Sequence, residues 1–286
     1  MSFPGFYINL KTSTERETSL KKHLREINLI DNIQRFEAFE PDKKGDFKGL
    51  KRGEYGVWIS FMQLLEKISD VNDNRYVLLM EDDFRFNPSQ ILKLENLLKK
   101  KDFDNDIVFL DYLINIPLLE QINLITQKKV DNHNPKEYFF PATNYCACCS
   151  AFLIRRSSSK LLSEVLRKIF NNLSSENKLI PIDMVFKTIF KNRILKGKLA
   201  IPPLGSPDWD MERDSNIQVG HKDSIRNAMR AYVLFRCAAS GTKSIKFCSK
   251  EFSKIVNQEI DQNNYDNLND FYKLVLRNKE NIDHNW

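Results

Sequence analysis

The sequence predicts an α/β fold: a sheet-and-helix domain over residues 1–221, followed by a helical C-terminal extension over residues 222–286. Three observations carry this prediction. Short apolar runs of strand length alternate with segments whose apolar residues repeat at helical spacing. The clearest apolar run, Tyr76-Val-Leu-Leu-Met80, leads directly into three carboxylates, Glu81-Asp82-Asp83. After Ile201 the pattern changes to turn residues, Pro202-Pro-Leu-Gly-Ser-Pro-Asp208, and then to helices alone.

The elements follow in order. Gly5-Phe-Tyr-Ile-Asn-Leu10 is apolar and aromatic and suits a buried strand. Thr14-Glu-Arg-Glu17 fits a capping box with Thr14 as N-cap, so a helix to about Ile27 is expected. Arg35-Phe-Glu-Ala-Phe39 reads as a second strand. A charged, glycine-punctuated loop over residues 42–53 leads into a helix over Glu54–Ile68, where Val57, Trp58, Phe61, Leu64, Leu65 and Ile68 form one broad apolar face. Arg75–Met80 is a core strand, Pro88 opens a helix to about Lys101, and Asp106–Leu110 is the next strand. Residues 113–140 are irregular, a hairpin or a mobile loop. Ala151–Ile154 is a strand that runs into a Ser-rich helix start at Ser157–Ser159, and a further helix runs from about Pro181 to Lys191. Helices over roughly 222–238, 249–258 and 265–278 make up the extension.

Composition bounds the function classes. A 42% hydrophobic and 11% aromatic content in 286 residues supports a real core. The N-terminus lacks the basic and apolar regions of a secretory signal, and no run approaches the roughly 18 apolar residues of a membrane span. The expectation is a chain that stays on the cytoplasmic side. Cys146, Cys148 and Cys149 do not follow a zinc-site spacing, so all five cysteines are read as small, reduced, mostly buried residues. Between Lys222 and Lys254 eight basic residues face two acidic ones, a local excess equal to the +6 of the whole chain. Such a stripe suits the anionic inner face of a membrane or an anionic acceptor; a solvated helix face is the plainer reading. No nucleic-acid motif accompanies it.

Glu81-Asp82-Asp83 is the sharpest chemical feature. Open α/β sheets bind ligands beyond the carboxyl ends of their strands. Three carboxylates there repel one another without a cation, and oxygen ligands suit Mn²⁺ or Mg²⁺ gripping a diphosphate. Alternation along a strand end turns Glu81 and Asp83 to one side as metal ligands, with Asp82 pointing elsewhere. At the first strand–helix junction stand Asn9, Leu10 and Arg16; Arg16 can pair with a phosphate or with a strand-end carboxylate. Gly53 and Gly56 precede a helix that carries Ser60, where backbone can approach a ligand closely or simply turn into the helix.

In this order and spacing, the segments resemble glycosyltransferase family 25, the lipooligosaccharide and collagen galactosyltransferases. The resemblance runs through Tyr7-Ile-Asn-Leu10 with Arg16, Arg35-Phe-Glu-Ala-Phe39, Gly53-Glu-Tyr-Gly-Val-Trp-Ile-Ser60, the acidic motif ending at Asp83, Ser150-Ala-Phe-Leu-Ile154 with Lys160-Leu-Leu162, Pro181-Ile-Asp183 and Ser215-Asn-Ile217. It covers about residues 4–220 and departs at Phe61, where the family usually has His, and at Asn216, where an acidic residue is usual. What it implies is a glycosyltransferase A-type, Rossmann-like domain that takes a hexose from a nucleotide-sugar donor, commonly UDP-galactose, with Mn²⁺ and inversion. The acceptor would be a lipooligosaccharide, capsule or related glycan or glycolipid. In that reading Glu81 and Asp83, with His221 as a late third ligand, hold the metal. Asn9, Leu10, Arg16, Ser60 and Asp82 bind the donor. Asp183 is the base that inversion requires, with Asp210 as its rival. Rival functions are a nucleotidyltransferase on an α/β fold and an inactive nucleotide- or glycan-binding protein.

Overall fold

The computed structural model describes residues 3–71, 73–98, 104–113, 138–145, 147–211 and 223–256. Its centre is a sheet of seven strands: β1 (Gly5–Asn9), β2 (Ile33–Glu37), β3 (Tyr76–Glu81), β5 (Ile107–Phe109), β6 (Tyr138–Pro141), β7 (Ala151–Arg155) and β8 (Gly197–Ile201). Their spatial order is β2-β1-β3-β7-β5-β8-β6. The pairs β1–β2, β1–β3 and β5–β8 are parallel, and the pairs made by β7 and β6 are antiparallel. The carboxyl ends of β1, β2, β3, β5 and β8 therefore share one edge, and the start of β7 joins them there. A small second sheet pairs β4 (Phe84–Phe86) with β9 (Gly205–Pro207). Three residues were too few to read β4, and β9 was hidden by its composition: Gly-Ser-Pro carries no strand signal.

The sheet is covered on both faces, which explains the near-continuous apolar run of β3. Val77 and Leu79 pack into one cluster with Trp58 and Phe61 of α2 (Arg52–Ser69), Leu162 and Leu166 of α4 (Arg156–Ser175), and Phe186 and Phe190 of α5 (Ile182–Lys191). Leu78 and Met80 point the other way, against Leu20 and Leu24 of α1 (Thr14–Glu26) and Ile91 and Leu94 of α3 (Pro88–Leu98). The extension contributes α6 (Asp223–Ser240) and α7 (Ile245–Val256), whose Leu234, Phe235, Phe252 and Ile255 belong to the first cluster.

Two local expectations change. Thr14 is not a cap: α1 begins on it, after Ser13, which makes no side-chain cap bond. Glu17, expected to close that box, instead accepts from the Tyr7 hydroxyl at 3.2 Å and pairs with Lys21 and Arg35. The basic stripe is also broken up. Arg236 is buried, Arg230 lies over the Trp209 ring at 5.1 Å, Lys243 pairs with Asp210, and Lys254 pairs with Glu251. Lys246 and Lys250 stand exposed on one face of α7; Lys222 lies outside the described residues, as does the predicted helix over 265–278. No described helix is long and apolar enough to cross a membrane.

Candidate functional site

The strand order supplies the site. From β1 the chain crosses through α1 to β2 on one side, then returns through α2 to β3 on the other. The crevice beyond the carboxyl ends of β1 and β3 is thus a topological switch point. A cleft of about 700 Å³ opens there. Its floor is Ile8 and Leu10 from β1 and its exit, and Glu81, Asp82 and Asp83 from the end of β3. Ser13 and Arg16 come from the start of α1, Phe39 and Glu40 from the end of β2, and Lys51, Arg52, Gly56 and Ser60 from the start of α2.

Asp82 is tied down. One carboxylate oxygen accepts from Asn9 Nδ2 at 2.8 Å, and the other accepts from Arg16 Nε at 2.8 Å. Arg16 also reaches Asp83 at 2.9 Å, so it forks between two of the three acids. Of the two partners open to Arg16 on sequence grounds, the structure has the strand-end carboxylate. Burial lowers the guanidinium's pKa, but Asp83 and Asp82 outweigh it and hold the pKa above its usual value. Asn9 is buried; its Oδ1 accepts from Arg35 Nε at 2.9 Å, so it stands behind the cleft wall and positions Asp82.

Glu81 faces the opposite situation. Burial, then the charges of Asp83 and Asp82, push its carboxyl up to about 8, against the pull of Arg16 and Arg236. Asp83 keeps one buried oxygen, Oδ1, with no hydrogen-bond partner among the described residues. A carboxyl whose ionisation is opposed by burial and by two neighbouring carboxylates, with an orphaned carboxylate oxygen nearby, is an arrangement that a divalent cation would satisfy. No described group of three His, Cys, Asp or Glu closes round an ion. A Mg²⁺-like ion needs only one or two carboxylates when substrate phosphates and water complete its shell, so Glu81 and Asp83 fit. His221 lies outside the described residues.

The glycine-started helix packs on the chain itself. A Cβ on Gly56 would sit 2.9 Å from the Phe39 carbonyl and 3.1 Å from Pro41 Cδ, so the glycine lets the end of β2 lie directly on α2. Ser60 completes this latch: its hydroxyl donates to the Gly56 carbonyl at 2.7 Å and accepts the Phe39 N–H at 2.8 Å. Phe61, at the departure from the family pattern, is buried and stacked on Phe152 at 5.8 Å, away from the cleft lining.

Asp183 does not line this cleft. It starts α5 and accepts from the Cys148 N–H at 3.3 Å and from the Met184 N–H at 2.8 Å. The Cys148–Ser150 loop separates it from Glu81, whose N–H donates to the Ser150 carbonyl at 2.8 Å; the buried Cys149 thiol feels both carboxylates. Asp210 is exposed and paired with Lys243. Trp209 is buried.

Two groups were not anticipated. Arg85 donates to the Asp82 and Phe84 carbonyls and to Ser19, and pairs with Asp208 at 3.2 Å. Asp111, just past the end of β5, is fully buried with Ser150 and Arg236; Arg236 Nε donates to Asp111 Oδ1 at 2.9 Å. The rule that singled out Glu81–Asp83, an acid just past a strand's carboxyl end, applies equally to Asp111. Its partner, 125 residues away, had no sequence signal.

The model of glycosyltransferase family 25 (LPS biosynthesis protein) matches residues 3–186, well over half of the chain. The chain belongs to glycosyltransferase family 25. As a family 25 chain it is a transferase of the LPS-biosynthesis type. Its α/β sheet, with five of seven strands running one way, is consistent with a glycosyltransferase A-type fold. No curated protein sequence matches it. Among solved structures it is similar to one described as a glycosyltransferase involved in the glycosylation of the major capsid of PBCV-1. There the identity is 12% over 71% of this chain and 83% of that one, with a TM-score of 0.36, too weak a likeness to support inference.

Proposed function

We propose that this family 25 chain is an inverting hexosyltransferase. It takes a hexose, galactose in the first instance, from a UDP-sugar and adds it to a lipooligosaccharide, capsule or related surface glycan. The observation that carries the reading is the carboxylate pair Glu81 and Asp83, both lining the cleft of about 700 Å³ at the β1–β3 switch point, with one buried Asp83 oxygen unpartnered among the described residues. A cleft of that size suits a nucleotide sugar.

In this proposal Glu81 and Asp83 hold Mn²⁺ or Mg²⁺, with His221 as a candidate third ligand. The ion, when bound, neutralises charge on the departing diphosphate. Leu10 and Arg16 lie where the donor phosphates would pass, and Asn9 and Asp82 set the angle of Arg16. Ser60 acts through the segment it latches. Asp183 takes the proton of the acceptor hydroxyl. Asp183 lies outside the cleft lining, so this role rests on the Pro181-Ile-Asp183 motif and on the base that inversion requires. Asp210, already paired with Lys243, is the weaker candidate.

The test is UDP release from a panel of UDP-sugars with Mn²⁺, for the wild type, Asp83→Asn and Asp183→Asn. The expected result is metal-dependent release from one donor, lost in Asp83→Asn. Asp183→Asn should keep UDP binding and lose transfer to acceptor. Pyrophosphate in place of UDP, or a donor turned over equally well in excess chelator, would overturn the proposal.

A further inference from the structure

Phe39 is a large apolar side chain left 40% exposed. Isolated exposed hydrophobics are ordinary on protein surfaces; this one differs in two ways. It lines the cleft, and its backbone is held at several points. The Ala38 N–H donates to the Asn9 carbonyl at 3.0 Å, the Phe39 N–H donates to Ser60, and Gly56 packs against the Phe39 carbonyl. The ring is therefore presented from a rigid base, and no described ring packs on it. Tyr55 and Trp58, on the same helix start, both meet Phe170.

Its distance from the acids is informative. Phe39 leaves the end of β2, Glu81 ends β3, and β1 lies between them. Two strand spacings amount to roughly 10 Å, the scale of a nucleoside diphosphate from its base to its second phosphate. Pro41, Val57 and Ile8 add apolar wall to the same cleft, which Lys51 and Arg52 also line.

We propose that Phe39 is the stacking platform for the donor's nucleobase, so that the cleft reads a planar heteroaromatic ring at the β2 end and the diphosphate at the β3 end. This rests on the nucleotide-donor reading above. Stacking on an aromatic side chain contributes enough to matter and tolerates any base, so Phe39 supplies affinity for a nucleotide without choosing which one.

The experiment is calorimetric binding of UMP, which carries no hexose, and of UDP to the wild type, Phe39→Ala and Phe39→Trp, with thermal melts confirming folding. Phe39→Ala is expected to weaken UMP and UDP binding alike, by roughly ten- to a hundredfold. Phe39→Trp should restore binding, with its indole fluorescence quenched by UMP. If Phe39→Ala binds UMP as the wild type does, the platform is refuted while the donor reading stands. If only UDP-sugar binding weakens, the ring serves the hexose and the inference is wrong. If the wild type binds no nucleoside phosphate of any base, both the inference and the donor reading fall.

Discussion

Replacing Arg236 with Met removes the positive half of a buried pair. Arg236 is 6% exposed and Asp111 is 0% exposed. The guanidinium meets both Asp111 oxygens and also donates to the Ser150 hydroxyl at 2.9 Å. Without it, among the described residues, Asp111 keeps the Ser150 hydroxyl alone to offset a fully desolvated charge. Breaking one side of a buried ion pair costs about 3–5 kcal/mol. For a domain of this size each kcal/mol moves Tm by about 2 °C, so a drop of roughly 6–10 °C is expected. Asp111→Leu should cost a similar amount by stranding the guanidinium. The double variant, which removes both charges, should lose less than the sum, by at least about 2 kcal/mol of coupling. Urea unfolding at neutral pH measures all four corners. Single variants within about 0.5 kcal/mol of the wild type, or a double variant that is simply additive, would refute the assignment. Because the Ser150 carbonyl also receives the Glu81 N–H, the single variants should lower donor turnover as well.

Two further outcomes are expected, beside those for the metal ligands and the stacking ring. Alanine at position 56 would ordinarily gain about 1 kcal/mol in a helix; here its Cβ meets the Phe39 carbonyl, so a net loss of about 1–2 kcal/mol and weaker nucleotide binding should appear together. A raised Tm would show that the latch is not tight. His23 accepts the Phe86 N–H through Nε2 at 3.0 Å, and burial, then Arg85, depress its pKa to about 4. The unfolded chain takes up this proton near 6.5 and the folded chain only near 4. Stability is therefore full above pH 6.5 and falls as the pH drops towards 4, by about 1–2 kcal/mol after allowing for partial exposure. His23→Gln should flatten that part of the stability–pH curve, and an unchanged slope would assign the effect to other groups.

Much of the fold was legible because its elements obey simple periods. β1, α2, β3, β7 and α5 appear within a few residues of where apolar spacing put them. β4 and β9 were not read, since three-residue strands and Gly-Ser-Pro offer no pattern long enough to detect, and β8 (Gly-Lys-Leu-Ala-Ile) was missed because it opens on Gly and Lys and runs straight into the Pro202-Pro203 turn. At the site, the acidic strand end was visible as a local cluster, and the structure brings Asn9, Arg16, Asp82 and Asp83 together. The functions of Gly56 and Ser60 were not visible, because a latch is a relation between two segments about twenty residues apart. The basic count over 222–254 misled for a related reason: charge listed along a chain does not say which guanidinium is buried on a partner. Arg236 belongs to the interior, and among the described residues Lys246 and Lys250 keep the character the whole stripe suggested.

The separation of Asp111 from Arg236 also has a consequence in time. They stand 125 residues apart. At typical synthesis rates of roughly 5–20 residues per second, the strand-end carboxylate waits roughly 6–25 s for its counter-ion after leaving the ribosome. During that interval the first three strands and both flanking helices can assemble, but the carboxyl end of β5, separated from β3 by β7, cannot settle into its final electrostatic state. The carboxyl end of β5 is thus completed only after every strand of the sheet has been made, and a nascent chain interrupted before α6 would carry a nearly complete sheet with Asp111 lacking its counter-ion.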